Sequence, residues 1–193
     1  MPTPGAKVVR DLTELRALAH PIRHRLLDEL AGRGEASVGQ LAEAVHEPVN
    51  RASFHLRQLA KYGFIEEAPE RARDGRDRWW RLAFEGGIDW DHLARTAAGA
   101  AAVRQHLEAT LRRHLDEIES YFASAVGEYP KWENGAFSHD WYLDLTEDEA
   151  AEFDREYLEL CLRWRDRIRI RDRDAAEPTK YGIFIFGFPM RDS

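Results

Sequence analysis

Apolar residues recur at helical spacing from early in the chain. Leu12, Leu15 and Leu18 share one face of a helix beginning at Asp11. His20-Pro21 interrupts that pattern, and proline suits the first turn of a new helix because its missing N–H would be unpaired there. Ile22, Leu26 and Leu30 then form a second stripe at four-residue spacing, which Gly32 and Gly34 end. Ser37-Val38-Gly39-Gln40 spells a capping box, in which the serine caps a third helix and Gln40 reaches back. Leu41, Ala42 and Val45 supply that helix's short inner face. Glu47-Pro48 turns the chain into a further helix over residues 50–62, stopped by Gly63. Residues 65–69 read as a strand, Asp74-Gly75 as a turn, and residues 79–84 as the returning strand.

Gly86-Gly87 marks the expected boundary between two units, residues 1–86 and residues 87–193. After it the pattern predicts one long helix over residues 89–126, roughly 55 Å at about 1.5 Å per residue. Tyr129-Pro130 ends it, and a strand (138–145), a helix (146–171) and a last strand (180–188) follow. Thr146 and the acidic run Glu147-Asp148-Glu149 suit a helix start. The last strand is apolar on both faces and reads as buried on both sides. The fold class is mainly α with small β (α+β): an N-terminal winged helix-turn-helix, a long dimerisation helix and a C-terminal strand–helix–strand unit.

Composition narrows this picture. With 193 residues, 44% hydrophobic and 33% charged, the chain can pack a core. No run reaches the roughly 18 apolar residues of a membrane span, and the start lacks the apolar centre of a secretory signal. The expectation is a soluble cytoplasmic protein with no membrane contact. A single cysteine, Cys161, excludes an intramolecular disulfide and any zinc site built on cysteine pairs. The net charge of −7 argues against nucleic acid only until its distribution is read. Residues 1–84 hold 14 Lys and Arg against 12 Asp and Glu, whereas residues 85–193 hold 14 against 23. A mildly basic half and an acidic half suggest two units with different tasks.

On the helix from Asn50, the residues Ala52, Leu56 and Leu59 form the inner stripe. The other face carries Asn50, Arg51, Phe54, Arg57, Gln58 and Lys61, with Ser53 near the helix start. Arg, Asn and Gln pair with guanine and adenine edges in the major groove, and a serine at a helix start suits a phosphate. Phe54 on an outer face either meets a thymine methyl or packs on the neighbouring helix. Arg71, Arg73, Arg76 and Arg78 bracket the hairpin tip, where arginine lies against phosphates or enters a narrow minor groove. Trp79 and Trp80 point to opposite faces of a regular strand and read as packing residues. Leu18-Ala19-His20-Pro21-Ile22-Arg23, then Ser53-Phe54-His55-Leu56 with Leu59 and Gly63-Phe64-Ile65, resemble the DNA-binding domain of ArsR-type bacterial transcriptional regulators. The resemblance covers about the first 84 residues. It implies a homodimer reading double-stranded operator DNA, acting as a repressor, within the larger members of that group.

Parts of the sequence suit two other chemistries. Many ArsR relatives sense metals, so a metal-responsive repressor is the first alternative. His114 and Glu117 share a helix face, but the resemblance places the other ligands of the family's dimer-interface site at Ala101 and Val103, which cannot bind metal. His20, His24, His92 and His106 read as surface or interface histidines and His55 as a packed or phosphate-facing one, so no metal and no cofactor is expected. An enzyme with a fused DNA-binding-like domain is the second alternative. Ser138-His139-Asp140 names triad residues, but neighbours on a strand point to opposite faces. No phosphate loop or nucleophile elbow appears, Cys161 reads as a packed thiol, and no catalysis is expected.

The long helix carries Leu93, Ala97, Ala100, Leu107, Leu111 and Ile118, with Tyr121 and Ala125, at three- and four-residue steps. That is a helix–helix seam, met most simply by its twin across a two-fold axis. Trp132, Phe137, Trp141, Tyr142, Tyr157 and Trp164 add aromatic mass, either as plain packing or as the lining of a site for a small apolar or aromatic effector.

Overall fold

A computed structural model describes residues 5–71, 78–124, 139–169 and 181–190. The hydrophobic pattern translates directly into the first four helices. Asp11 caps α1 (Leu12–Leu18), its carboxylate accepting from the Thr13 and Glu14 N–H groups. His20 caps α2 (Pro21–Arg33): Nδ1 accepts from the Ile22 N–H at 3.2 Å, and Pro21 holds the first helical position. After β2 (Glu35–Ser37), the capping box opens α3 (Val38–Ala44). Ser37 Oγ accepts from the Gln40 N–H, and Gln40 Oε1 accepts from the Ser37 N–H. Helix α4 spans Val49–Lys61 and packs on α3 and α2. Between α3 and α4, His46 takes a left-handed φ of 52° and the Glu47 N–H returns to Ala42 O at 2.9 Å. Gly63, at φ 69°, turns the chain out of α4.

Strands β3 (Ile65–Glu67) and β4 (Trp79–Leu82) join β2 in an antiparallel sheet ordered β2-β4-β3, with β4 in the middle. Ala36 faces Trp80 on one side of β4, and Glu66 faces Arg81 on the other. The core lies between this sheet and α1–α4. Leu18, Leu26, Leu30, Leu41, Leu56, Leu59 and Phe64 are fully buried in it, with Trp80 beneath the sheet. Phe64 and the leucines each remove on the order of 2 kcal/mol worth of apolar surface from water.

The long helix starts later than its pattern predicts. Residues 88–96 form β5 (Ile88–Asp89) and a 3-10 turn (Leu93–Arg95), and helix α5 runs from Ala97 to Ser124. Strand β5 pairs in parallel with β1 (Lys7–Val8), pinning the N-terminal segment to the base of α5. Thr96 sets the helix start, its Oγ1 accepting from the Gly99 N–H at 3.1 Å. A Cβ at Gly99 would lie 1.8 Å from the Leu93 carbonyl oxygen, so only glycine admits this close turn. Leu93 is therefore not on the long helix and packs against the N-terminal core, as do Trp90 and Ala102. Val103 and His106 are buried too, so the core extends past Gly87 into the first half of α5.

Helix α6 spans Glu147–Arg169, opened by Thr146, whose Oγ1 accepts from the Glu149 N–H. The α+β class holds, but the flanking strands do not form. Among the described residues, neither 139–145 nor 181–190 joins a sheet. Ile183, Ile185 and Phe188 are exposed, the last by 74%, against the expectation of burial on both sides. An apolar run specifies a need for cover, not a pairing partner, and no sheet edge reaches this one. Trp141 and Tyr142 are likewise exposed. No helix among the described residues is long and apolar enough to cross a membrane.

Two histidines and an ion pair join α2 to α5, and a third histidine joins α5 to residues 181–190. His24 on α2 stacks on His106 at 5.2 Å between ring centroids, and Trp90 meets His106 edge-on at 5.0 Å. Arg113 bridges to Asp28 at 3.1 Å, and His114 stacks on Phe184 at 3.9 Å. Burial, with His106 and Arg113 adding repulsion, pushes the His24 imidazole down to about 4. The folded state then binds fewer protons than the unfolded chain, so stability is lost as pH falls from about 6.5 towards 4. His24 alone removes about 2 kcal/mol between pH 7 and pH 5 by this linkage. Urea unfolding at the two pH values should show that loss in the parent chain and a correspondingly smaller one in His24→Phe. Equal pH dependence in both would refute it.

Candidate nucleic-acid interface

Helix α4 has two faces with opposite chemistry. Ala52, His55, Leu56 and Leu59 are buried against the core. That anchoring fixes the helix's rotation and turns Asn50, Arg51, Phe54, Arg57 and Lys61 outward, all exposed, with Ser53 and Gln58 half-buried at the margins. The structure thus gathers all seven α4 residues expected from the sequence onto one surface. Phe54 is 51% exposed, and its ring lies edge-on to that of His55 at 5.3 Å between centroids. Pro48 precedes α4 without any side-chain cap. Asn50 Oδ1 accepts from the Arg51 N–H at 2.9 Å, and the positive end of the helix dipole still faces an incoming anion.

The arginines differ in how they are held. Glu47 accepts from Arg51 Nη1 at 3.2 Å and lies 3.6 Å from Arg25. Arg57 Nε donates back to the Ser53 carbonyl at 3.3 Å. Both are surface contacts of small net strength that a phosphate or a base edge could replace.

Arg78 stands at the base of the hairpin, exposed and 3.5 Å from Glu67. Arg71 closes a 3-10 turn after β3, and only its backbone position is described. Arg73 and Arg76 lie outside the described residues. Arg81 was not singled out from the sequence, yet it holds the hairpin stem together. Its guanidinium donates to Glu66 at 2.7 Å and to Glu70, and lies 3.7 Å from Glu35 on the opposite strand. These carboxylates raise Arg81 above the ordinary arginine range. The usable signal was Arg81's place in the strand beside two acidic neighbours on β3. Trp79 and Trp80 split as expected, Trp80 buried and Trp79 half-buried.

His55 is buried rather than phosphate-facing, its ring 4.3 Å from that of His20. Burial first, then His20, Arg23 and Arg51, lower His55; burial, Arg23 and Arg51 lower His20. The two adjacent imidazoles tie α4 to the start of α2. His114 faces Arg113 Nη2 at 3.0 Å, while Glu117 is paired with Arg113. Among the described residues, no three His, Cys, Asp or Glu side chains gather at a spacing that would hold a metal ion.

On the α5 surface, Leu107, Leu111 and Ile118 are exposed, as are Ala97 and Ala100. Leu115 and Phe122 extend the same stripe and were not named from the sequence. Ala125 lies outside the described residues.

Residues 18–68 match a family described as a helix-turn-helix domain. No curated protein matches the chain. Several solved structures are similar over its first half. The homodimeric winged helix-turn-helix DNA-binding domain Mb0332 from Mycobacterium bovis is 27% identical, over 55% of this chain and 84% of that one, with a TM-score of 0.34. Rv0081 of M. tuberculosis is 25% identical over 58% and 92%, with a TM-score of 0.33. The MarR-family regulator Sco3205 from Streptomyces coelicolor, solved with DNA, is 26% identical over 65% and 84%, with a TM-score of 0.29. The helix-turn-helix match over residues 18–68, with the antiparallel sheet β2-β4-β3 packed against it, makes this part of the chain a winged helix-turn-helix.

Proposed function

We propose that this chain is a sequence-specific DNA-binding transcriptional regulator that represses as a homodimer. One observation carries the reading: a helix rigidly anchored by Ala52, His55, Leu56 and Leu59 presents Asn50, Arg51, Arg57 and Gln58 on one outward face. Side chains held in that way can meet base edges in the major groove, with Arg and Gln pairing to guanine and adenine. Phe54, outward and half-exposed, suits a thymine methyl. Ser53, Lys61 and the hairpin arginines Arg71, Arg73, Arg76 and Arg78 serve the phosphates or the minor groove beside it.

The homodimer rests on the α5 stripe. Leu107, Leu111, Leu115, Ile118 and Phe122 form a continuous exposed apolar face on a helix whose other side is already committed to the core. A twin across a two-fold axis covers such a face, and would set two recognition helices about one DNA turn apart, roughly 34–36 Å. An organic effector acting on that spacing fits the aromatic composition of the second half. A metal-responsive repressor is the weaker reading, because His114 and Glu117 are each engaged with Arg113.

Two measurements test the reading. Arg51→Ala and Arg57→Ala should each weaken binding to a selected operator, by about 1–3 kcal/mol where a bidentate base contact is lost. Competition with random duplex should show that specificity falls as well; unchanged affinity in both variants would reject α4 as the reading helix. The parent chain in excess chelator should sediment at about twice its 22.3 kDa mass. Leu111→Asp with Leu115→Asp should weaken that dimer markedly. A parent chain that is monomeric until zinc is added would reverse the choice between the two regulators.

A further inference from the structure

Helix α6 carries two patterns that the DNA-reading function does not use. Phe153, Leu160, Trp164 and Ile168 form an exposed apolar stripe, between 43% and 52% accessible, with Tyr157 half-buried among them. Charge along the helix is split by sign. Residues 147–159 hold seven Asp and Glu and one Arg; residues 160–169 hold four Arg and one Asp. At about 100° per residue, Glu152 and Glu156 edge one flank of the stripe in the first half, and Arg163 and Arg167 edge the same flank in the second.

We propose that α6 pairs antiparallel with α6 of a second copy of this chain. This contact is additional to the α5 stripe and does not depend on DNA binding. The register follows from the positions. An antiparallel two-fold pair that sets Phe153 against Trp164 of the other copy also sets Tyr157 against Leu160. The same register faces Glu156 to Arg163, and Glu152 lies towards Arg167 across the pair. Each of these contacts occurs twice, as an isologous interface requires. Like-charged halves would meet in a parallel pair, so the split in sign selects the antiparallel one. An apolar ligand or an unrelated partner would cover the stripe, but neither would call for self-complementary flanks.

The test uses the full chain, with helicity checked by circular dichroism, and follows self-association by sedimentation equilibrium. Three variants are compared with the parent: Glu152→Arg with Glu156→Arg, Arg163→Glu with Arg167→Glu, and all four together. Each pair of reversals should weaken association at least tenfold, and the fourfold variant should return to within threefold of the parent. All three variants work against the helix dipole, so recovery in the fourfold variant reports pairing alone. Parent-like association in either double variant overturns the proposal. So does a fourfold variant no better than the doubles, which would place the stripe on something other than its own copy, such as the α5 face. If Leu111→Asp with Leu115→Asp breaks the dimer while the α6 variants do not, the α5 reading stands and this one falls.

Discussion

The rotation of α4 about its own axis is the constraint on which the rest depends. Leu56 and Leu59 are completely buried, and His55 is nearly so, against α3, α2 and the sheet. A turn of the helix by one residue would expose part of that stripe and bury Arg51 in one direction or Arg57 in the other. Burying an unpaired guanidinium costs several kcal/mol, and exposing two leucines adds about 2 kcal/mol each, so one rotation survives. The capping box at Ser37 and the turn through His46 fix where α4 begins. Arg81, held by carboxylates from both neighbouring strands, fixes where the hairpin rises beside it. The outward face of α4 is thus a consequence of core packing, and its chemistry follows from which residues that packing excludes.

The same core reaches further than the helix-turn-helix. Strand β1 pairs with β5, Gly99 lets α5 turn tightly over the Leu93 carbonyl, and Val103 and His106 close the far side. His24, His106 and Trp90 form the joint between α2 and α5. Contacts thus run without a break from α5 through α2 to α4. In a dimer, those contacts would connect whatever alters the interface to the spacing between the two reading heads.

Elements with strong local signals were legible in the sequence. The Ser37–Gln40 box, the Ile22, Leu26 and Leu30 stripe and the two faces of α4 each follow from spacing within a few residues, and each appears as read. What was missed depends on contacts distant in the chain. Strands β1 and β5 are two residues long and carry no periodicity; their pairing joins residues some eighty positions apart. The late start of α5 is set by Gly99 against Leu93, which no apolar pattern records. His24 and His106 are unremarkable in sequence and meet only because α5 crosses α2. Residues 180–188 read as a doubly buried strand because apolarity implies a need for cover, yet Ile183, Ile185 and Phe188 are exposed.

Selection of binding sites from random double-stranded DNA, run side by side on the parent chain and on Arg57→Ala, tests the central claim most directly. With α4 as the reading helix of a symmetric dimer, the parent chain should enrich an inverted repeat whose half-sites are centred about 10 base pairs apart. The variant should enrich the same repeat with base preference lost at one position in each half-site. A parent chain that enriches no motif, or a variant that enriches the parent's motif unchanged at every position, would contradict it.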